Sequence, residues 1–521
     1  MRGAVAAGHP LTAQAGARIL EAGGNAVDAC IAAGFVSWVT ESPLTGPGAG
    51  GFMLVHRARD RSDRLLDFFV AIPGRGADGE KAAPMDEVMV PFDAHTLQLF
   101  RIGGPSCAVP GAVAGLGEAH RLYGRMPWAE LVTPAADLAR NGVELNPQQA
   151  FLHSILDVAL RAEGEGRRIY GERVPLREGD RLLMRDLADT LDLLAAEGAE
   201  AFYRGPLARA LSGAVRERGG LLTETDLADY RVIRRRPVRT PYRGHEFISN
   251  PPPSSGGVLI AFALRILDRL GTPGLPGSVE SVAALTEVMR EATLARGGAF
   301  VRKLYRGGLA ADLLADAVVE AAARRARSRE QPPALEPAGA PSTTHISVVD
   351  AAGNAASLSA STGCGSGVIV PGTGVHMNNM LGETDLNPGE RGAGSGARLT
   401  SMMAPSVVLT DGRPRLVVGS AGSIRLRAAI LQIVANVLAH GLRVAEAIAA
   451  PRVHLEGAQL NLEGGIAPAV ADALEARGYD VVRWSGLNLY FGGASAVALA
   501  EDGTLEAAGD PRRGGAGVVV G

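Results

Sequence analysis

The chain has 521 residues, of which 46% are hydrophobic and 21% are charged, so it has enough apolar material for a large buried core. Its formal net charge of −3 gives no reason to expect nucleic acid or a membrane surface as a partner. Its two lysines, Lys81 and Lys303, do not follow the glycines of a P-loop, which excludes that nucleotide site. The 3 cysteines are scattered, so no disulfide framework is predicted.

The first third of the chain is predicted to hold a helical region, a tight glycine loop and a strand. Residues 11–39 have the apolar spacing of a helix that is interrupted by a Gly-Gly pair. The run Gly46-x-Gly48-x-x-Gly51 has the spacing of a dinucleotide-binding fingerprint, but a strand-like run follows it instead of preceding it. We therefore interpret it as a tight loop. Residues 65–73 have the composition of a strand.

The middle third is predicted to be mostly helical, with one strand over residues 236–248. Ser254 and Ser255 stand before one of the helices. No Gly-x-Ser-x-Gly elbow surrounds them, so we interpret them as helix caps and not as nucleophiles. The predicted helices lie at residues 129–142, 184–205, 258–270 and 278–327.

The most informative stretch is the strand that begins at Thr343-Thr344-His345, directly after a loose segment rich in Arg, Pro and Ala. One interpretation is that these residues simply start a strand, since β-branched side chains favour one. The other is that the Ser342–Thr343 bond is cut. Thr343 would then carry a free α-amine with an ordinary pKa of about 8, and this amine can act as the base for the hydroxyl of the same residue.

The segment 343–350, with Gly353-Asn354 downstream, resembles the nucleophile segment of the γ-glutamyltranspeptidase family. The resemblance implies an α+β fold, a four-layer αββα sandwich of the N-terminal-nucleophile hydrolase type. It also implies self-cleavage into a large subunit, residues 1–342, and a small subunit, residues 343–521, which form one intertwined unit. Other family-like motifs follow in family order along nearly the whole chain, at residues 22–29, 50–53, 109–115, 251–257, 378–379 and 510–512.

The resemblance also implies catalytic roles. Thr343 is the nucleophile, and Ser361 supplies a second hydroxyl that orients it. The backbone N–H groups of Gly422 and Ser423 form the oxyanion hole, where one donor contributes about 3 kcal/mol. His345 lies on the same strand face as Thr343, but two strand residues separate them by roughly 6–7 Å, so we expect His345 to be structural.

Substrate-binding roles follow from the same resemblance, with departures. Phe69 stands where relatives carry an arginine that holds the α-carboxylate of the γ-glutamyl group, a task that a phenyl ring cannot perform. Met380 and Glu383 stand where relatives bind the α-amino group with Gln and Asp. Thr362 stands in place of an Asn. Three further residues match a Ser-Ser-Met motif of relatives within one position, and which hydroxyl binds a carboxylate stays open: Thr400, Ser401 and Met402.

Three functions agree with these residues. The first is a self-processing threonine hydrolase or transferase that forms an acyl-enzyme and passes the acyl group to water or an amine. The second keeps this machinery for a substrate that is not γ-glutamyl, as an acylase or as a C–C bond-cleaving enzyme of natural-product biosynthesis, because Phe69 and Met380 make the acyl pocket more apolar. The third is an uncleaved homologue without activity.

We expect a small-molecule substrate and two subunits from one chain, with a dimer of this unit left open. No cofactor is expected, and no metal, since His376 and His454 are isolated. Cys364 has no evident His–Asn partnership and is interpreted as a buried thiol. We expect no membrane partner and a cytoplasmic location, because no charged and then apolar leader opens the chain and no apolar run approaches about 20 residues.

Overall fold

The computed structural model of the chain describes residues 2–91, 97–328, 343–383, 394–500 and 502–521. The predicted cleavage point therefore has Thr343 inside the described residues and Ser342 outside them. Most strands belong to two large antiparallel sheets. In chain order the strands are β1 (Gly3–Ala7), β2 (Gly50–Arg57), β3 (Ser62–Phe68), β4 (Asp86–Pro91), β5 (Leu97–Ile102), β6 (Val143–Glu144), β7 (Arg181–Leu182), β8 (Ile233–Arg235), β9 (Val238–Tyr242), β10 (His245–Ser249), β11 (Thr344–Asp350), β12 (Ala355–Ser361), β13 (Ile369–Val370), β14 (Val375–His376), β15 (Ser406–Thr410), β16 (Arg413–Ala421), β17 (Val453–Glu456), β18 (Gln459–Leu462), β19 (Asp480–Arg483), β20 (Gly493–Leu499), β21 (Leu505–Gly509) and β22 (Ala516–Val520).

The helices pack on the outer faces of these sheets. They are α1 (Pro10–Glu21), α2 (Ala26–Thr40), α3 (Ala112–Tyr123), α4 (Trp128–Asn141), α5 (Pro147–Ile155), α6 (Asp157–Leu160), α7 (Gly164–Tyr170), α8 (Arg185–Glu197), α9 (Gly205–Glu217), α10 (Glu224–Ala228), α11 (Gly256–Leu270), α12 (Val279–Leu294), α13 (Phe300–Arg306), α14 (Leu309–Leu313), α15 (Asp316–Ser328), α16 (Arg425–Leu438), α17 (Val444–Ala449) and α18 (Pro468–Ala476).

The two large sheets pack face to face. The first has the strand order β22-β1-β11-β12-β2-β3-β8, and the second has the order β21-β20-β16-β15-β10-β9. Strand β11 of the first sheet packs on β16 and β20 of the second. The predicted large and small subunits both supply strands to each sheet, so the two parts of the chain are interleaved.

Alternate side chains along the first sheet enter two different hydrophobic cores. Met53 and Val55 of β2 pack with helices α2, α3 and α4, whereas their neighbours Phe52 and Leu54 pack with the second sheet and helices α11 and α16. Neighbouring residues of a strand point to opposite faces, so this sheet has helices on one side and the other sheet on the opposite side. The layers are α, β, β and α, which confirms the predicted sandwich.

Local sequence signals explain two features near the N-terminus. The predicted helix break falls between α1 and α2, where Asn25 accepts hydrogen bonds from the N–H groups of Val27 and Asp28 and forms a capping box. The predicted tight loop is also present. A Cβ atom on Gly48 would lie 2.2 Å from the carbonyl oxygen of His376, so only glycine allows this close approach.

The single strand predicted over residues 236–248 is wrong. The structure has a hairpin there, β9 and β10, in which Tyr242 pairs with His245. The turn consists of Arg243 and Gly244, with φ angles of 52° and 81°. Positive φ at both central positions is the geometry that suits a two-residue hairpin, and Arg243 is an uncommon residue for it.

Among the residues that the structure describes, no helix has the length and apolar character needed to cross a membrane. The same part of the chain contains no group of three or more His, Cys, Asp or Glu residues arranged to hold a metal ion.

Candidate active site

Two neighbouring strands bring Thr343 and Ser361 to one place. In the β11–β12 pair Thr344 lies opposite Ala360, so the next pair outward is Thr343, just before β11, and Ser361, the last residue of β12. Both side chains are buried. Ser361 Oγ also accepts a hydrogen bond of 2.9 Å from the N–H of Gly363, which fixes the start of the following loop.

A cleft opens in front of these two hydroxyl residues. It holds about 340 Å³ of atom-free space, part of which is open to solvent. Most of the predicted site residues thus line one cleft. The lining consists of Phe69, Thr343, Ser361, Gly363, Met380, Glu383, Ser401, Met402, Met403, Ser423 and Leu426.

The predicted oxyanion turn lies between β16 and α16. Gly422 has a φ of 129° and Ser423 a φ of 50°, and Ser423 lines the cleft. A φ of 50° is accessible to serine at a modest cost, whereas 129° with a non-glycine side chain is rare. The N-terminus of α16 follows directly and adds the positive end of its dipole to this part of the cleft.

Most of the side chains around Phe69 in the cleft lining are apolar. Phe69 is 1% exposed, and its ring stacks on Phe52 with a centroid distance of 5.4 Å. Its backbone is fixed as well, since Tyr230 donates its hydroxyl to the Phe69 carbonyl at 2.7 Å. Met380, Met402, Met403 and Leu426 complete this wall, and Glu383 is the only ionisable side chain among the described lining residues.

Arg398 is a nearby cation, but its guanidinium is bound to Asp67 and Tyr230 and does not compensate for Phe69. Its Nε lies 3.3 Å from a carboxylate oxygen of Asp67, and its guanidinium stacks on the ring of Tyr230 at 4.4 Å. Its Nη2 donates to the backbone carbonyls of Asp67 and Arg231. Arg398 is not among the residues that line the cleft.

The predicted hydroxyl contacts separate into two groups. Ser401 lines the cleft, whereas Thr400 donates its hydroxyl to the carbonyl of Pro253 at 2.7 Å and does not line it. Thr362 is also absent from the described lining, and its N–H donates to the carbonyl of Leu44 at 3.0 Å. Of the two hydroxyl residues that the sequence left open, Ser401 is therefore the one that lines the cleft.

The capping role predicted for Ser254 and Ser255 is wrong. Ser255 stands at the N-cap of α11, but its side chain makes no capping hydrogen bond. Both hydroxyls instead donate to the carbonyl of Ser401, at 2.8 and 3.2 Å. They hold the segment that carries Ser401 and Met402 against the start of α11, which supports one wall of the cleft.

His345 and Cys364 have the environments of structural residues. The His345 ring lies between the hydroxyls of Ser359 and Ser347, at 2.8 and 3.0 Å, and burial lowers its pKa to about 3, so the ring is neutral. Burial raises the pKa of the Cys364 thiol far above its usual range, and the carboxylate of Glu383 raises it further. A thiol in this state is a poor nucleophile.

Sequence reasoning missed two charged residues behind Thr343. Arg513 Nη1 donates to the carbonyl of Thr343 at 2.6 Å. Glu41 accepts a hydrogen bond of 2.5 Å from the hydroxyl of Thr344. Burial raises the pKa of Glu41 to about 7 and lowers that of Arg513 to about 10. The sequence held one signal for Glu41, because it is a single acidic residue directly after the long apolar run of α2.

Two packed sheets between helix layers, with a hydroxyl residue leading an inner strand at a cleft, define the N-terminal-nucleophile hydrolase class. The sequence profile described as Gamma-glutamyltranspeptidase matches residues 12–520. The chain therefore belongs to the γ-glutamyltranspeptidase family, as its motifs predicted, and it is a hydrolase or transferase of that family.

Three relatives illustrate the range of this similarity. The chain is 36% identical to the "Acylase ACY 1 proenzyme" of Pseudomonas sp. strain SE83, over 100% of this chain and 94% of that protein. It is 32% identical to the "Glutathione hydrolase proenzyme" of Escherichia coli, over 98% and 90% of the two chains. The crystal structure of cephalosporin acylase from Bacillus halodurans superimposes with a TM-score of 0.83 at 27% identity, covering 99% of this chain and 95% of that one.

Proposed function

We propose that the chain cleaves itself between Ser342 and Thr343 and that Thr343 is the nucleophile of the product. Its Oγ attacks the carbonyl carbon of an amide substrate, and the α-amine of the same residue takes the hydroxyl proton. The N–H groups of Gly422 and Ser423 hold the negative oxygen of the tetrahedral intermediate. The protonated amine then gives its proton to the leaving amine, and water or a second amine releases the acyl group from Thr343.

The acyl group that suits this cleft has an apolar body and no α-carboxylate. The observation that carries this proposal is the wall around Phe69, which is apolar where γ-glutamyl recognition needs a cation. Among the described lining residues no cationic side chain faces the cleft, and burying an unpaired carboxylate there costs several kcal/mol. The similarity to a protein named an acylase supports the same substrate class.

A second candidate is a γ-glutamyl amide. Glu383 lies in the cleft with Thr343, and a carboxylate at this place can pair with the α-ammonium of a glutamyl group. The relatives named glutathione hydrolases support this candidate. It leaves the α-carboxylate without a described cationic partner, and for this reason we place it second.

The test begins with the intact mass of the purified chain. We expect two pieces that end and begin at Ser342 and Thr343, and a Thr343→Ala variant that stays whole. Turnover is then compared for two anilides of equal acyl length, pentanoyl p-nitroanilide and γ-glutamyl p-nitroanilide. Faster turnover of the pentanoyl compound is expected, whereas a clear preference for the γ-glutamyl compound would overturn the proposed acyl class. An uncleaved but folded wild-type chain would overturn the nucleophile.

A further inference from the structure

A buried arginine that does not line the cleft binds the backbone of Thr343. Arg513 is 2% exposed, and its Nη1 donates to the Thr343 carbonyl at 2.6 Å. Within the described residues its Nε and Nη2 have no hydrogen-bond partner. The fold makes room for this side chain, because a Cβ on Gly493 would lie 2.2 Å from Cδ of Arg513.

A buried carboxyl group holds the next residue. Glu41, directly after α2, is 1% exposed and accepts the hydroxyl of Thr344 on Oε2. Its Oε1 lies 3.4 Å from the hydroxyl of Thr12. A glycine also leaves room for the Glu41 side chain, since a Cβ on Gly8 would lie 2.3 Å from Oε2 of Glu41. Arg513 thus binds the carbonyl of Thr343, and Glu41 binds the side-chain hydroxyl of Thr344.

We propose that Arg513 and Glu41 are positioning residues that set the orientation and the proton affinity of the Thr343 α-amine with opposite signs. Neither residue lines the cleft, so both act through Thr343 and Thr344. This inference rests on the proposed function, because only self-cleavage creates the amine. The Arg513 hydrogen bond fixes the rotation about the Cα–C bond of Thr343. That rotation sets the directions in which the α-amine and the hydroxyl point relative to strand β11.

The electrostatic effect follows from covalent geometry. The α-nitrogen of a residue lies within roughly 3.5 Å of its own carbonyl oxygen, and Arg513 Nη1 lies 2.6 Å from that oxygen, so this nitrogen is at most about 6 Å from the amine. A like charge at this distance disfavours the ammonium form, and an opposite charge favours it. Arg513 therefore lowers the pKa of the amine, and ionised Glu41 raises it. A lower value keeps more of the amine in its basic form at neutral pH.

Other titratable groups lie near Arg513, Glu41 and Thr343. Asp510 faces Arg513 but is itself bound to Arg452 at 2.6 Å and to Arg512 at 3.1 Å. Glu383 faces Thr343 across the cleft. The nearby histidines are neutral, because burial lowers the pKa of His345 to about 3 and that of His9 to about 4. Burial raises the pKa of Glu41 to about 7, so its charge changes just below the range in which the amine titrates.

The experiment measures the pKa of the amine without any substrate. The self-cleaved protein is treated with acetic anhydride at a series of pH values, and acetylation of Thr343 is read from the mass of the N-terminal peptide of the small subunit. We expect Glu41→Gln to lower the pKa of the amine by about one unit and Arg513→Met to raise it by a similar amount. Arg513→Lys keeps the charge and should stay near the wild-type value.

The matched control is Arg452→Lys, which alters a buried arginine of the same cluster that binds Asp510 and not Thr343. It should lower the melting temperature and leave the pKa of the amine unchanged. If Arg513→Met fails to cleave while Arg513→Lys cleaves, the positioning role is supported. Cleaved Glu41→Gln protein with a wild-type amine pKa would overturn this inference alone. An uncleaved wild-type chain would overturn it together with the proposed nucleophile.

Discussion

At the scale of single residues, the proposed acyl class depends on Phe69, which lines the cleft. Its ring occupies the position from which relatives are expected to reach a substrate carboxylate, and it lies in a stack with Phe52. Replacing it by arginine adds a cation to a cleft whose described lining has none. A hydrogen bond to a charged group contributes about 1.5–3 kcal/mol, which corresponds to about a tenfold to hundredfold change in selectivity.

We therefore expect Phe69→Arg to raise kcat/KM for γ-glutamyl p-nitroanilide relative to pentanoyl p-nitroanilide by at least about tenfold. Phe69→Leu is the matched control, since it removes the ring without adding charge, and it should leave this ratio near the wild-type value. Intact mass before each assay shows whether the variant has cleaved itself. An arginine variant that cleaves but keeps the wild-type ratio would mean that this position does not face the acyl group.

At the scale of elements, the turn between β16 and α16 is the part whose backbone has to keep its shape. Gly422 has a φ of 129°, and a Cβ there would lie 3.1 Å from Cα of Gly492. Gly422→Ala should therefore shift the turn and lower kcat by about a hundredfold, the effect of losing one oxyanion donor, with KM nearly unchanged. Single-turnover kinetics on the cleaved protein measure this effect.

Ser423→Gly is the contrasting substitution in the same turn. Its φ of 50° is already in the left-handed region, where glycine is comfortable, and the backbone N–H stays in place. We expect kcat to stay within about threefold of wild type, since no donor is lost. A large loss of kcat in this variant would show that the hydroxyl of Ser423, and not the backbone N–H, stabilises the oxyanion.

The helices and strands also show which features can be predicted from the sequence and which cannot. The break between α1 and α2 is visible because a Gly-Gly pair and the capping residue Asn25 are local signals. The β9–β10 hairpin is missed because its turn uses Arg243, a residue that rarely takes positive φ. The family motifs name most of the residues around the cleft. Glu41 and Arg513 are missed because their contacts are distant in sequence: Glu41 and Thr344 are 303 positions apart, and Arg513 and Thr343 are 170 positions apart.

At the scale of the whole molecule, the strand order determines how the two predicted subunits would stay together after cleavage. In the first sheet, β1 of the large subunit lies between β11 and β22 of the small subunit, and β12 of the small subunit pairs with β2 of the large one. Cutting before β11 therefore breaks one peptide bond without separating any strand pair. The second sheet is also shared, since β10 pairs with β15.

We therefore expect the cleaved subunits to elute together in native size-exclusion chromatography and to unfold in one cooperative transition, because each subunit completes the cores of the other. In denaturant the same sample should separate into two pieces. The uncleaved Thr343→Ala variant is the control, and it should elute at the same native volume because the sheets are already complete before cleavage. Pieces that separate without denaturant would contradict this interleaving, since separation requires strand pairs in both buried sheets to open at once.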